Sequence, residues 1–221
     1  MTNMRVQRTA VGIVLNVVAS WTLFSVGLLA AESANDIVEK IQKKYADISD
    51  ATLNFTQRVK FSLSKAEYNS SGTLFMKKAN HYRIVTDDRT FVTDGKTVWS
   101  YTPANKQVLV DTYKEEPRSF SPEKFLLSVP RDFYSAILSR ERSQGKKLVV
   151  LKLSPKEDNV SMKSLKLWAE EGEWLLWKAE VTDMNDNVTT YAVSDIRLNT
   201  TLSDSTFSFI APPGVEVVDL R

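Results

Sequence analysis

From Ala51 the chain alternates strictly: Leu53, Phe55, Val59 and Phe61 fall between Thr52, Asn54, Thr56 and Arg58, a period of two that predicts a half-buried strand. Just upstream the period is different. Ile37, Ile41, Tyr45 and Ile48 recur at helical spacing, and Ser33 and Asp36 stand as a capping-box variant ahead of them, so an amphipathic helix is predicted over Asn35 to Ile48. Strand-like runs follow at Ser70 to Lys78, His81 to Thr86, Thr90 to Thr93, Thr97 to Tyr101 and Gln107 to Thr112. They are separated by Ala79-Asn80, Asp87-Asp88, Asp94-Gly95 and Pro103-Ala104-Asn105, residues that favour turns. Asp94-Gly95 is predicted to form a two-residue hairpin turn at positive φ. The pattern is an antiparallel meander.

It breaks once, between Tyr113 and Gln144. Ser121-Pro122 offers an N-cap with proline at the first helical position, followed by the apolar Phe125, Leu126 and Leu127. A second short helical run is predicted over Arg131 to Arg140, with Phe133, Ile137 and Leu138 on one face. Strands resume at Lys147 to Ser154, Met162 to Ala169, Glu173 to Thr182 and Val188 to Leu198. Thr206 to Ile210 and Val215 to Val218 complete the series around Pro212-Pro213-Gly214. The fold expected is α+β: about eleven antiparallel strands in an open, unclosed barrel or strongly bent sheet, with helices at two points in the chain. Glu173 to Thr182 opens with Trp174, Leu175, Leu176 and Trp177, apolar toward both faces. Either both sides are covered there, or the concave face holds more apolar surface than its helices fill and leaves space for a ligand.

The first 31 residues stand apart. Arg5 and Arg8 precede an almost uncharged apolar run from Val11 to Ala30, and small residues close it at Ala30 and Ala31. Residues 1–31 are therefore expected to be a signal peptide, or an uncleaved N-terminal anchor, since the run approaches bilayer-spanning length; 32–221 form one domain. The leader holds two of the 29 basic residues and none of the 27 acidic ones, so the remainder is formally neutral. That disfavours a nucleic-acid binder, which needs a basic surplus. Cysteine is absent, which suits an exported bacterial domain held together by its core. It also excludes an N-terminally lipidated lipoprotein. Five Asn-X-Ser/Thr triplets, at Asn54, Asn69, Asn159, Asn187 and Asn199, read in a bacterial setting as polar strand faces and turns.

Chemistry is sparse. The chain has one histidine, His81, at a turn where solvation is expected, and it contains no phosphate loop, HExxH or GxSxG. The carboxylate pairs Asp87-Asp88 and Glu170-Glu171 fall in predicted turns, where acidic residues serve local hydrogen bonding. No enzyme, metal site or cofactor is expected.

Three ordered stretches carry a resemblance. Phe91 to Pro103 (FVTDGKTVWSYTP), Gly72 to Ile84 (GTLFMKKANHYRI) and Ser205 to Asp219 (STFSFIAPPGVEVVD) resemble the hairpin, the strand-turn-strand and the closing segment of the LolA family of periplasmic lipoprotein carriers, with weaker similarity at Phe55-Thr56-Gln57. The resemblance implies an unclosed barrel with a helical lid, monomeric, taking acylated lipoproteins from an ATP-driven inner-membrane releasing complex to an outer-membrane receptor. It places Phe55, Leu74, Met76, Tyr82, Ile84, Trp99 and Tyr101 as cavity candidates. Ile37, Ile41, Tyr45, Phe125, Leu126 and Leu127 become lid candidates. The family usually has Arg-Pro where this chain has Lys78-Ala79, and credits that Arg with holding the lid shut. Lysine keeps the charge but not the five-donor fork. The same architecture also resembles envelope sensors that bind lipids or lipoproteins without transporting them, and an apolar cavity would equally suit another diacyl lipid.

Overall fold

The computed structural model describes Met1 and residues 32–114, 133–156 and 162–221. Contacts divide the chain into Met1–Ala31 and Glu32–Arg221, and every element below lies in the second unit. Its one α-helix among the described residues, α1 (Ala34–Ala46), starts where the sequence demands: the Ser33 side chain accepts from the Asp36 N–H, and the Asp36 carboxylate accepts from the Ser33 N–H. Among the described residues twelve strands follow in a single sheet, against about eleven expected. They are β1 (Asp50–Lys60), β2 (Glu67–Lys77), β3 (His81–Thr86), β4 (Thr90–Asp94), β5 (Thr97–Thr102) and β6 (Gln107–Thr112). Then come β7 (Phe133–Ser143), β8 (Lys146–Pro155), β9 (Met162–Glu170), β10 (Leu176–Asp183), β11 (Val188–Leu198) and β12 (Glu216–Asp219).

The order across the sheet is β12-β6-β5-β4-β3-β2-β1-β11-β10-β9-β8-β7. β1 and β11 close the seam between two meanders, with Phe55 opposite Val193 and Gln57 opposite Tyr191. All pairs are antiparallel except β12 with β6, which is parallel. β7 and β12 form separate edges, so the sheet is open.

Four expectations are corrected. The predicted helix over Arg131 to Arg140 is, from Phe133 on, strand β7, paired with β8 through Phe133↔Pro155, Ser135↔Leu153 and Ile137↔Leu151. Phe133 and Ile137 satisfy an i, i+4 spacing and a period of two alike, and a bulge between Ile137 and Ser139 disguises the alternation. Thr206 to Ile210 is not a strand: Asp204–Phe207 forms a 3-10 turn whose Phe207 is buried completely. β10 begins at Leu176, because Trp174 sits in the left-handed region at φ 58. Finally, Asp94 ends β4 in extended conformation and Gly95 alone takes a positive φ, 81. The Asp94 carboxylate accepts from the N–H groups of Lys96 and Thr97, closing the turn at Gly95-Lys96. The second lid segment, with Phe125, Leu126 and Leu127, lies outside the described residues.

One face of the β7–β10 half is packed closely. Ile37, Val38 and Ile41 of α1 lie against Val149, Leu151, Leu153, Leu165, Leu167 and Ala169 in one buried cluster, flanked by Trp174, Leu176, Ala179 and Val181. This explains the doubly apolar start of the Trp174 stretch. Trp174 and Leu176 cover the helix side, while the Trp177 indole donates to Glu170 at 2.8 Å and lies under the Lys146 ammonium at 4.1 Å.

Candidate functional site: a half-covered apolar face

Cross-strand partners point to the same side of a sheet, so the register extends the helix-packed face to the other half of the molecule. Leu167 pairs with Ala179, Ala179 with Tyr191, Tyr191 with Gln57, and Gln57 with Ser70. One step along β1 and β2, Phe55 faces Val193 and Gly72, and Leu53 faces Leu74. Leu74 then pairs with Ile84, Ile84 with Phe91, Met76 with Tyr82, and Tyr82 with Thr93.

Five of the candidate cavity residues, Phe55, Leu74, Met76, Tyr82 and Ile84, therefore share the face on which α1 docks. Tyr82 is buried, and the other four are half-buried. The register does not bring Trp99 and Tyr101 to them. Trp99 pairs with Val92 and Val110, and Tyr101 with Thr90 and Val108, on the opposite face. There the C-terminal segment crosses. Arg83 donates to the carbonyls of Thr206 and Ser208, and Tyr101 lies 5.5 Å from the Phe209 ring. Period two establishes that Trp99 and Tyr101 share a face, not which one. Phe91, read only as part of the hairpin, takes their place on the α1 side by pairing with Ile84.

The same face carries polar groups at its centre. Gln57 donates to the Tyr191 hydroxyl at 3.2 Å, and the Ser70 hydroxyl donates to Gln57 at 3.2 Å. Burial raises the Tyr191 phenol above its ordinary pKa, against the hydrogen bond from Gln57. On α1, the Gln42 side-chain nitrogen is buried and has no hydrogen-bond partner. The linked Gln57, Tyr191 and Ser70 give the face a few polar groups within an apolar surface, the usual makeup of a small-molecule site. Gly72 leaves room for this arrangement: a Cβ there would meet the Val85 carbonyl at 2.3 Å and the Phe55 ring at 3.0 Å.

The helix is tied at its C-terminal end. Lys78 Nζ donates to the carbonyl of Ala46, the last residue of α1, at 2.7 Å, and the Lys78 N–H donates to the Ser49 carbonyl at 3.1 Å. A cation there also opposes the helix dipole. The turn presenting Lys78 has Ala79 and Asn80 both at positive φ, 66 and 60. Proline cannot adopt that backbone, so the departure from Arg-Pro at this pair comes with a turn that Pro could not make. His81 braces it: the ring Nδ1 lies 3.0 Å from the carbonyls of both Lys78 and Ala79, and the ring packs edge-on against Phe207 at 5.4 Å. Gly95 is needed for the same reason. A Cβ at this residue would stand 2.4 Å from the Ala79 carbonyl, so the hairpin glycine lets two turns press together beneath Lys78.

Other contacts hold α1 down. The Leu176 N–H donates to the Tyr45 hydroxyl at 3.1 Å, and burial pushes the Tyr45 phenol up to about 12 against that hydrogen bond. Lys40 lies 5.1 Å from the Trp174 ring centre. The lid candidates Ile37 and Ile41 are core residues in this structure, and Tyr45 packs beside them. Just past the helix, Asp50 is 4% exposed and accepts from the Thr200 N–H at 2.8 Å, the Thr200 hydroxyl at 3.1 Å and the Thr201 N–H at 3.0 Å. Burial opposes its charge, but the hydrogen bonds from Thr200, Leu202 and Thr201 outweigh it and hold the carboxyl below the usual range. The loop that surrounds Asp50 places Asn199 and Thr201 at φ 55 and 62. Thr201 is β-branched and disfavours that conformation, so the Asp50 bonds help keep it there. The sequence pattern gives Asp50 no role, because these partners lie 150 and 151 residues away along the chain. Among the described residues no group of three His, Asp or Glu side chains is arranged to hold a metal.

The comparisons agree with this architecture. An outer-membrane lipoprotein carrier protein from Haemophilus influenzae is 27% identical over 206 residues, covering 92% of this chain and 95% of that one. An uncharacterized protein of Methanocaldococcus jannaschii is 26% identical over 201 residues, or 89% of this chain, which spans 57% of that longer protein. Among solved structures, an uncharacterized conserved protein from Thermus thermophilus shares the fold at a TM-score of 0.57 and 12% identity, over 85% of this chain and 99% of that one. Residues 46–210 match the family described as outer membrane lipoprotein carrier protein LolA, and the chain belongs to the LolA family.

Proposed function

We propose that this chain is a periplasmic carrier that shelters lipoprotein acyl chains against the face bearing Phe55, Leu74, Met76, Ile84 and Phe91, and moves lipoproteins from the inner to the outer membrane. The observation that carries this reading is the unequal treatment of one continuous face. α1 packs its β7–β10 half into a core, while the β1–β4 half presents half-buried apolar side chains. A chain of about 16 carbons withdrawn from water gains on the order of 12 kcal/mol at about 0.8 kcal/mol per methylene, so a rigid cavity would never release it. α1 then serves as a lid and Lys78 as its latch, and the cost of lifting the helix offsets part of that gain. An ATP-driven inner-membrane complex would load the carrier, and an outer-membrane receptor would unload it.

The test is to recover the exported protein from the periplasm and identify what accompanies it by native mass spectrometry. A carrier yields adducts of acylated lipoprotein, and the purified protein releases lipoprotein from spheroplasts. Adducts of free diacyl lipid alone would point to a different cargo. An empty protein that releases nothing would overturn the reading in favour of a sensor.

A further inference from the structure

The β1–β2 hairpin ends in an apolar tip that the acyl-binding face does not use. Between Lys60 and Glu67 the loop reads Phe61-Ser62-Leu63-Ser64-Lys65-Ala66. Leu63 is 98% exposed and Phe61 41%. Met184, in the neighbouring β10–β11 turn, is 50% exposed, and Tyr68, just behind the tip on β2, is 48% exposed. The two turns are fastened together: the Ser62 N–H donates to the Asn187 side chain at 2.9 Å, and Lys60 pairs with Val188 in the ladder. They stand at the far end of β1 from Asp50↔Lys77, where the latch is.

Three properties of this tip select its occupant. It protrudes, so it offers no groove for a folded partner to fill, whereas a fluid surface accommodates a projection. Its backbone is largely satisfied from within: the Phe61 N–H donates to the Ala66 carbonyl at 2.9 Å, Lys65 to the Phe61 carbonyl at 3.0 Å, and Ala66 to the Ser64 hydroxyl at 3.3 Å. That lowers the cost of leaving water for the edge of an apolar phase. Lysines also flank it. Lys60 lies 4.0 Å from Glu67, at the limit of an ion pair, and Lys65 makes no ion pair among the described residues. Leucine and phenylalanine at the apex, aromatic and basic side chains at the rim, is the arrangement that sits in a bilayer interface with cations at headgroup level.

We infer that the Phe61–Leu63 tip, with Met184 beside it, is a docking surface for an anionic lipid bilayer, by which the protein touches a membrane directly during its cycle. The inference goes beyond the carrier reading: its failure would leave the acyl-binding face untouched, and a sensor could use the same tip.

The absence of cysteine makes the test clean. In the full chain, Leu63→Cys is labelled with an environment-sensitive fluorophore and mixed with phosphatidylethanolamine–phosphatidylglycerol vesicles, with Lys106→Cys, in the left-handed turn before β6 and four strands across the sheet from β2, as the control. Because the readout is specific to position, any binding by residues 1–31 does not mimic it. The expected result is a blue shift and quenching by bilayer-embedded quenchers at position 63 but not at 106. Adding Phe61→Asp should weaken the shift about tenfold in lipid concentration, and Lys60→Glu with Lys65→Glu should remove the preference over phosphatidylcholine vesicles. An unshifted label at 63 would overturn the inference. So would a shift that appears without vesicles and grows with protein concentration, which would assign the tip to a second copy of the chain.

Discussion

Leu151 and Ile84 lie on the same face of one sheet, yet their surroundings differ. Leu151 on β8 is completely buried beneath α1, and Ile84 on β3 is half-buried with no described helix above it. What separates them among the described residues is the cover: α1 closes the β7–β10 half, and no described helix lies over the β1–β4 half. A face finished internally contributes to stability. A face left unfinished lowers stability and holds the capacity to bind.

This contrast gives the largest predicted effect. Leu151→Ala should cost about 3 kcal/mol, because it removes a fully packed side chain and leaves a cavity that α1 cannot refill. Ile84→Ala should cost less, about 1 kcal/mol, since that side chain is only partly withdrawn from water. Urea unfolding measures both. Binding of a fluorescent fatty-acyl probe should divide the other way, with Ile84→Asp weakening it about tenfold and Leu151→Ala leaving the affinity of the folded fraction unchanged. Equal costs in the two halves, or probe binding lost through Leu151, would erase the distinction.

The division between halves was only partly legible in the sequence. The helix start was, because a capping box is a local device whose two hydrogen bonds join residues three apart. Most strands were too, since alternation is local. What was not legible depends on pairing. Trp99 and Tyr101 share a face by period two, but only their opposition to Val92 and Val110, Thr90 and Val108 turns them away from Ile84. Phe207 and Phe209 alternate as a strand would, yet Phe207 is better buried against His81 than extended on a ladder. Asp50 gives no local sign of its role, since its Thr200 partner is 150 residues away.

Asp50 sits where the halves meet, at the start of β1, and supplies the second prediction. Asp50→Ala should destabilise the protein by about 2 kcal/mol, because the Thr200 and Thr201 donors lose a buried acceptor. The carboxyl lies below its ordinary 3.8 in the folded state. Its contribution is therefore complete above that ordinary value and is lost as the pH falls toward and through the depressed one. Stability against pH should fall less steeply on the acid side for Asp50→Asn than for the wild type. Parallel acid limbs would show that Asp50 titrates alike folded and unfolded.

The smallest effect bears most directly on how the halves communicate. α1 packs against β7–β10, but the side chain that grips its end comes from the β2–β3 turn of the other half, through Lys78 Nζ and the Ala46 carbonyl. That bond is exposed, so Lys78→Ala should lower global stability by no more than about 0.5 kcal/mol. Locally it should matter more. Amide exchange in the last turn of α1 should quicken about threefold, while β8 and β9 stay as protected as before. Lys78→Arg should restore the wild-type rate, because a guanidinium reaches the same carbonyl with donors to spare. In the acyl-probe assay, loss of the latch should speed release with little change in the unfolding midpoint. If helix exchange is indifferent to Lys78→Ala, the lid is held by its packing on β7–β10 alone, and the two halves are coupled through Asp50 and the backbone instead.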